Sequence, residues 1–291
     1  MVYEKRYPNG LRLVVKRMEG LLSVTMGILV GTGSSVETDK EDGISHFIEH
    51  MQFKGTKKRT SFEISDAFDR IGAQVNAFTG KDVTCYYSKC TSDHTAEAFE
   101  ILSDLFLNST FPDEEMVREK GVVCEEISMN EDTPDDLCFD LLSSAYYGNS
   151  GYGRNILGPA SNVKGFTRED IFRYKQERYC PGNIVISFAG GIDLRTAETL
   201  VETYFDMPEV KTFRPREKEI SLKHLYLIRT KPIEQVHIAI GYPSLPREHR
   251  LADALQTVNS VLGGSMSSRL FQEVREKLGL AYSVYSYVSA F

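Results

Sequence analysis

The sequence lacks any apolar stretch long enough to cross a membrane. Its longest apolar run occupies positions 21–30, which is about half the length that a membrane-spanning helix needs and is better explained as a buried strand. The first 17 residues carry scattered charges and no apolar segment of the kind found in secretory signals. We therefore expect a cytoplasmic protein that does not bind membranes.

An excess of basic residues is also missing. Asp and Glu number 41 against 34 Lys and Arg, which gives a formal net charge of −7. A surface that binds a phosphate backbone needs clustered Lys and Arg, because binding is driven by the release of counterions. Nucleic acid is therefore not an expected partner.

Closely spaced cysteine pairs are absent as well. The chain has five cysteines, an odd number, and none of them forms a CxxC pair. This usage fits reduced thiols in a cytosol and gives no sign of a zinc site built on cysteine. The cysteines are Cys85, Cys90, Cys124, Cys138 and Cys180.

What the sequence does contain is a regular succession of strand and helix patterns, typical of an α+β fold. The 291 residues suffice for one large domain or two smaller ones. Residues 1–207 alternate blocks of strands and helices, and residues 208–219 are charged, contain proline and show no periodicity, as linkers do. Residues 220–291 repeat the order strand, strand, helix, helix, strand, which indicates a degenerate internal duplication.

One helix can be delimited from its end signals alone. Thr60 and Glu63 have the spacing of a capping box, and an apolar stripe with a period of three to four residues follows them. Gly72 then provides a stop. The sequence predicts a surface helix with one buried face between these signals.

A possible metal site begins in GISHFIEHM, which places His46, Glu49 and His50 on one face of a predicted helix. Catalytic zinc takes three protein ligands, so a third donor is needed. A later helix offers Glu119, Glu125 and Glu126; the first and last are seven residues apart and share a face, whereas Glu125 is turned about 100° away. A chance cluster on a solvated helix is the alternative at this point.

The similarity extends far beyond these residues. The segments HFIEHMQFKGT, GAQVNAFTGKDVTCYY, REKGVVCEEI, YGRNILGP and RYCPGNIVISFAGGID occur in the order found in the pitrilysin or insulin-degrading-enzyme family of zinc peptidases. Within that family the chain most resembles mitochondrial and bacterial processing peptidases. Glu126 follows His50 by 76 positions, the spacing at which the family has its glutamate ligand.

The resemblance implies two homologous α/β-sandwich domains with mainly antiparallel sheets, the second of them incomplete and without a metal site. It implies one Zn²⁺ per active domain, bound by His46, His50 and Glu126, and Glu49 as the general base that takes a proton from water. Glu119 would orient a ligand. The alternative is that Glu119 is a solvated residue on the helix surface.

The resemblance also implies how a peptide binds. Gly72, Asn76, Ala77 and Phe78 belong to a segment similar to the family's edge strand, which pairs with the main chain of the substrate. Arg275 and Tyr282 in the second domain match residues that donate to the developing oxyanion. An ordinary sheet strand and a surface arginine are the respective alternatives.

The function predicted from these residues is a zinc metalloendopeptidase acting on peptides or extended polypeptide segments. The alternatives are a non-catalytic or weakly active partner subunit, in a homodimer or a heterodimer with a related chain, and a peptide-binding module without turnover. Because the second domain has only about 70 residues after the linker, we expect a fragment of a longer chain. Alone it should be weakly active or inactive and self-associate through an open strand.

Overall fold

The structure, a computed structural model, describes residues 2–148, 150–208 and 226–289. The chain forms two compact units, Met1–Ala239 and Ile240–Phe291. Of the predicted linker at 208–219, all but residue 208 lies outside the described residues. The division into domains at residues 207 and 220 therefore stays a prediction.

The first unit contains a six-stranded sheet in the order β1-β2-β6-β3-β5-β4. Its hydrogen-bonded neighbours are antiparallel except β2 and β6, which are parallel. A mainly antiparallel sheet was expected and is confirmed. The strands are β1 (Val2–Arg6), β2 (Arg12–Arg17), β3 (Ser23–Val30), β4 (Gln74–Thr79), β5 (Thr84–Thr91) and β6 (Ile184–Gly190).

Helices pack against this sheet and enclose the core. Alternate residues of the central strands are fully buried, for example Leu13 and Val15 in β2 and Ile184 and Ile186 in β6, and they meet apolar side chains from α3 and α8. The helices are α1 (Ile44–Gln52), α2 (Ser61–Arg70), α3 (Thr95–Asn108), α4 (Asp113–Asp132), α5 (Pro134–Tyr147), α6 (Ala160–Gly165), α7 (Arg168–Arg178) and α8 (Leu194–Tyr204).

Helix α2 begins and ends where its signals predict. The Thr60 hydroxyl accepts a hydrogen bond from the Glu63 N–H at 3.3 Å, and the Glu63 carboxylate accepts from the Thr60 N–H at 2.7 Å. Gly72 follows the helix with φ of 62°. The capping box is confirmed, and its two hydrogen bonds satisfy backbone donors that the first turn leaves free.

The second unit differs from the predicted pattern. Its helices are α9 (Ala252–Gly263) and a π-helix, Phe271–Lys277. Residues 220–291 were predicted to contain three strands, in HLYLIRT, QVHIAIGYPS and LAYSVYSYVSAF. The second and third are absent from the described residues 226–289, so that prediction is wrong there, and the first lies partly outside the described residues. Alternation of apolar residues makes a strand possible, but a strand also requires a partner for its backbone groups. The alternating side chains of Val236, Ile238 and Ile240 are instead 69 to 87% exposed.

None of the described helices combines the length and the apolar character that crossing a bilayer would require. The longest of them, α4, has 20 residues but is rich in carboxylates. Apolar side chains of the first unit are concentrated in the core between helices and sheet. The expected cytoplasmic location stays a prediction.

Candidate metal centre

Helix α1 carries the HxxEH motif inside the protein. Seven of its nine residues are buried, among them His46, because Ile44, Phe47, Ile48 and Met51 pack into the core of the first unit. This apolar stripe alternates with the polar residues of the motif. The helix is therefore held rigidly by burial, which fixes the direction of its polar side chains.

The N-terminus of α1 is capped from a distance. Its N-cap residue is Gly43, which has no side chain to offer, and the Glu37 carboxylate instead accepts hydrogen bonds from the N–H groups of Gly43 and Ser45, both at 2.8 Å. Burial raises the pKa of Glu37 to about 7, although the hydrogen bonds from Ser45 and Gly43 oppose that shift. The sequence analysis did not find this role of Glu37.

A contact between two backbones also fixes the start of α1. Gly43 has φ of 93°, and a Cβ atom there would lie 2.5 Å from the carbonyl oxygen of Leu157. Gly158 has φ of 67°, and a Cβ atom there would lie 2.4 Å from the carbonyl oxygen of Asp42. Both positions therefore require glycine.

Helix α4 brings two glutamates to α1. The Glu126 carboxylate oxygen Oε2 lies 3.6 Å from Nε2 of His46 and 3.5 Å from Nε2 of His50. Glu119 is buried and contacts His50, whereas Glu125 is exposed. The structure thus gathers His46, His50 and Glu126, and the predicted orientation of the three glutamates on α4 agrees with it.

The three donors fit a zinc ion. One ligand atom from each of His46, His50 and Glu126 lies within 4.8 Å of the others. Tetrahedral zinc with bonds of about 2.0 to 2.1 Å holds its ligand atoms about 3.3 Å apart, close to the two Nε2 to Oε2 distances. Two imidazoles and one carboxylate are also the donor set of catalytic zinc sites, which leave a fourth position open.

The two histidines have different electrostatic surroundings. Burial and the neighbouring His50 lower the pKa of His46 to about 4, so His46 is neutral near pH 7 and can offer a lone pair. Its Nδ1 is buried and has no hydrogen-bond partner among the described residues. For His50, burial would lower the pKa, but the hydrogen bond to Glu119 and the nearby charges of Glu126, Glu119 and Glu49 outweigh it and raise the pKa.

Glu119 links His50 to a residue that the sequence analysis missed. Its Oε2 lies 3.1 Å from Nδ1 of His50 and its Oε1 lies 2.6 Å from Nζ of Lys54. Burial alone would raise the pKa of Glu119, but the hydrogen bonds from His50 and Lys54 lower it below its usual value. Lys54 lies four residues after His50, a spacing that could have suggested a shared partner.

Glu49 lies beside the three donors and is held by the edge strand. The hydroxyl of Thr79, at the end of β4, donates to Oε2 of Glu49 at 2.5 Å. Burial raises the pKa of Glu49, against the opposing effect of the Thr79 hydrogen bond. The sequence analysis did not single out Thr79, since a contact between residues 30 positions apart leaves no local pattern.

The predicted substrate segment forms β4 and the turn before it. Strand β4 is at the edge of the sheet and pairs only with β5 among the described strands, so no strand covers its other side. The N–H of Ala77 donates instead to Oδ1 of Asn76 at 2.8 Å. Asn76 and Phe78 are exposed, Ala77 is half-buried, and Gly72 lies in the turn after α2 rather than in the strand. An edge position is what peptide binding by strand addition requires.

Arg275 and Tyr282 lie near each other in the second unit. The Arg275 guanidinium is 5.4 Å from the centre of the Tyr282 ring and 4.6 Å from that of Phe271. Tyr282 is 85% exposed. The pairing of the two predicted residues is observed within this unit, and their role at the metal centre stays a prediction.

Comparison with known proteins agrees with the fold and gives the family. Residues 12–160 match the family described as Insulinase (Peptidase family M16), and residues 165–291 match the Peptidase M16 inactive domain. The Uncharacterized zinc protease YmxG of Bacillus subtilis is 46% identical over 99% of this chain and 70% of its own length. The Uncharacterized zinc protease SCO5738 of Streptomyces coelicolor is 38% identical over 98% of this chain and 64% of its own length.

Two solved structures share the fold. A peptidase M16 inactive domain from Pseudomonas fluorescens has a TM-score of 0.83 at 21% identity. The match covers 100% of this chain and 71% of the Pseudomonas chain. A protease from Helicobacter pylori has a TM-score of 0.80 at 22% identity, with coverage of 99% and 71%. Fold and sequence together define a class, the α+β proteins related to zinc proteases. This chain belongs to peptidase family M16, the insulinase family.

The matches leave two finer predictions open. They do not distinguish the processing-peptidase branch from other members of the family. The chain also spans 64 to 70% of the length of the two curated relatives, so activities of the whole relatives do not transfer to it directly. The processing-peptidase branch and the catalytic activity of this chain therefore stay predictions.

Proposed function

We propose that the chain is a zinc-dependent endopeptidase that hydrolyses peptides or extended polypeptide segments. The observation that carries this proposal is the convergence of His46 Nε2, His50 Nε2 and a Glu126 oxygen at distances that fit zinc, with the Glu49 carboxylate beside them. Family membership and the zinc protease names of the relatives support the same metal and reaction class.

The residues divide the work between binding and proton transfer. Zinc held by the three donors would polarise the scissile carbonyl and make a water molecule more acidic. Glu49 accepts a proton from that water and passes it to the leaving amine, a task that suits a carboxylate whose pKa burial has raised. Thr79 holds the carboxylate in place from the end of β4.

Substrate binding is proposed to use the free side of β4. An extended peptide added there would pair through its main chain, which makes few demands on its side chains. Asn76, Ala77 and Phe78 lie on this strand and Gly72 precedes it. Arg275 and Tyr282 supply hydrogen-bond donors for the oxyanion in this proposal.

The ligand set can be tested with neighbouring glutamates on α4. Glu126→Ala should lose zinc, as measured by metal analysis after dialysis, whereas the matched control Glu125→Ala alters an exposed side chain and should keep it. Cleavage of quenched peptides by the wild type should stop with a chelator and return when zinc is added. Full zinc content in Glu126→Ala, together with loss of zinc in Glu125→Ala, would show that the ligand is Glu125 and that the assignment to Glu126 is wrong.

A second candidate is a partner subunit that binds peptide with little or no turnover. The observation that favours it is the match of residues 165–291 to the domain described as inactive. The same assay separates the two, because a binding subunit retains peptide in a fluorescence-polarisation measurement and releases no product. Both a homodimer and a heterodimer with a related chain are compatible with this candidate, and sedimentation would distinguish them.

A further inference from the structure

Two groups donate to the carboxylate of Glu119 from the same end of α1. Lys54 Nζ is 2.6 Å from Oε1, and His50 Nδ1 is 3.1 Å from Oε2. The Glu119 side chain is 7% exposed and that of Lys54 is 26% exposed, so the ion pair is largely removed from solvent. Each oxygen of the carboxylate therefore has its own partner.

We propose that Lys54 is a positioning residue for the metal centre, acting on His50 through Glu119. This inference rests on the proposed function, because it concerns how well His50 is prepared to bind zinc. Lys54 touches neither the three donors nor Glu49 among its described contacts. Its effect on the site must therefore pass through Glu119.

The physical argument starts from the geometry of a carboxylate. A buried carboxylate with a single partner can rotate or share both oxygens with it, whereas the Lys54 ammonium occupies Oε1 and leaves Oε2 for His50. Oε2 then accepts from the Nδ1–H of His50. That tautomer leaves the lone pair on Nε2, the nitrogen that lies 3.5 Å from Glu126.

The charge of Lys54 and its positioning role predict opposite changes in zinc affinity when Lys54 is removed. As a cation, Lys54 repels a dication, so a purely electrostatic role means that removing it raises the affinity for zinc. As the anchor of Glu119, it prepares His50, so removing it lowers the affinity. The sign of the change therefore decides between the two roles without any assumption about magnitude.

The first experiment measures zinc affinity of the full chain by competition with a chromophoric chelator. Lys54→Met keeps the aliphatic stem and should weaken binding by about 5- to 10-fold, somewhat less than the 10–100-fold typical of direct partners of a ligand, because Lys54 acts through Glu119. Lys54→Arg should retain most of the affinity, because it restores the charge and a donor. The matched control Lys57→Met removes a charge from an exposed lysine three residues on and should bind like the wild type.

The second experiment needs no zinc. Long-range ¹H–¹⁵N spectra of the metal-free protein at alkaline pH, where imidazoles are neutral, report which nitrogen of His50 carries the proton. The Nδ1–H form should dominate in the wild type, Lys54→Arg and Lys57→Met, and its fraction should fall in Lys54→Met. Circular dichroism checks the fold of each variant, and Lys54→Gln replaces Lys54→Met if the latter does not fold.

Unchanged or tighter zinc binding in Lys54→Met overturns the proposal, and so does an unchanged tautomer population. If the wild type itself binds no zinc, the proposed function fails, and the tautomer measurement alone then decides the role of Lys54. A weaker affinity together with a loss of the Nδ1–H tautomer supports the positioning role. Recovery of the zinc affinity and of the Nδ1–H tautomer in Lys54→Arg supports the positioning role further.

Discussion

Helices α1 and α9 occupy corresponding places in the predicted duplication, yet they differ in almost every physical respect. In α1, seven of nine residues are buried, and two histidines and a glutamate share one face. In α9, Gly263 is the buried residue among twelve, and the sequence ADALQTVNSVLG has no histidine or carboxylate at the matching spacing. The comparison shows that the predicted ligand residues and the burial that orients their side chains occur together in one unit.

The largest effect expected from this comparison is the loss of turnover when Glu49, the proposed general base on α1, is changed. Glu49→Gln keeps the shape of the side chain and removes its basicity, so turnover should fall by about 10² to 10⁴ while zinc content is unchanged. Peptide cleavage and metal analysis measure the two quantities. Glu125→Gln on the exposed side of α4 is the matched control. Retained activity in Glu49→Gln would remove this residue from the reaction.

The next effect tests burial directly by comparing the two helices. Phe47 of α1 is fully buried and packs 5.8 Å from the ring of Phe166, so Phe47→Ala should cost about 3 to 5 kcal/mol of unfolding free energy. Val258 of α9 is 61% exposed, so Val258→Ala should change it by less than about 0.5 kcal/mol. Chemical denaturation measures both. Similar costs would mean that α9 is as well packed as α1.

The capping box of α2 and the face of α4 on which Glu119 and Glu126 lie could be predicted because their spacing is set by the helix itself. Thr60 and Glu63 are three residues apart, and Glu119 and Glu126 are two turns apart, so local periodicity determines which face each occupies. Strand β3 lies within the apolar run at positions 21–30, which the sequence analysis explained as a buried strand. Neighbours along the chain carry this information.

The contacts that complete the site could not be predicted in this way. Thr79 reaches Glu49 from 30 residues away and Lys54 reaches Glu119 from 65, and such pairs leave no periodic trace. The failed strand predictions in the second unit have the same cause. Alternation describes one strand, whereas a sheet depends on a second segment that the pattern does not specify.

A smaller effect asks whether the second unit takes part in chemistry at all. If the Arg275 guanidinium donates to the oxyanion, Arg275→Ala should reduce turnover by about 10² to 10³ and leave zinc content unchanged. Arg269→Ala, which removes an exposed charge six residues earlier, is the control. Steady-state kinetics with one quenched peptide compare the variants. Equal turnover in both would restrict the reaction to residues of the first unit.

The last effect concerns the cap of α1 and its dependence on pH. Burial raises the pKa of Glu37 from 4.5 to about 7, so the folded protein holds this proton more tightly than the unfolded chain. The stability that the proton contributes is complete below pH 4.5 and is lost as the pH rises through 7. The backbone N–H groups of Gly43 and Ser45 and the charge of Asp42 face this carboxyl.

Glu37→Gln has no proton to lose in this range. Its stability relative to the wild type should therefore increase with pH between about 4.5 and 7, by at most about 1.4 kcal/mol per pH unit. A constant offset is expected as well, because the amide has one acceptor oxygen for two N–H groups. Denaturation midpoints at several pH values measure the slope. Parallel curves for the two proteins would contradict the raised pKa.

The contact between Gly43 and Gly158 has a consequence for how this chain can vary. Each glycine lies against backbone atoms of the other segment, and neither backbone can retreat as a flexible side chain could. A substitution at one position is therefore not rescued by a smaller residue at the other, since nothing smaller exists. Neither glycine can therefore be replaced, alone or together with the other. A mutant library built to alter the metal centre has to keep both of them unchanged.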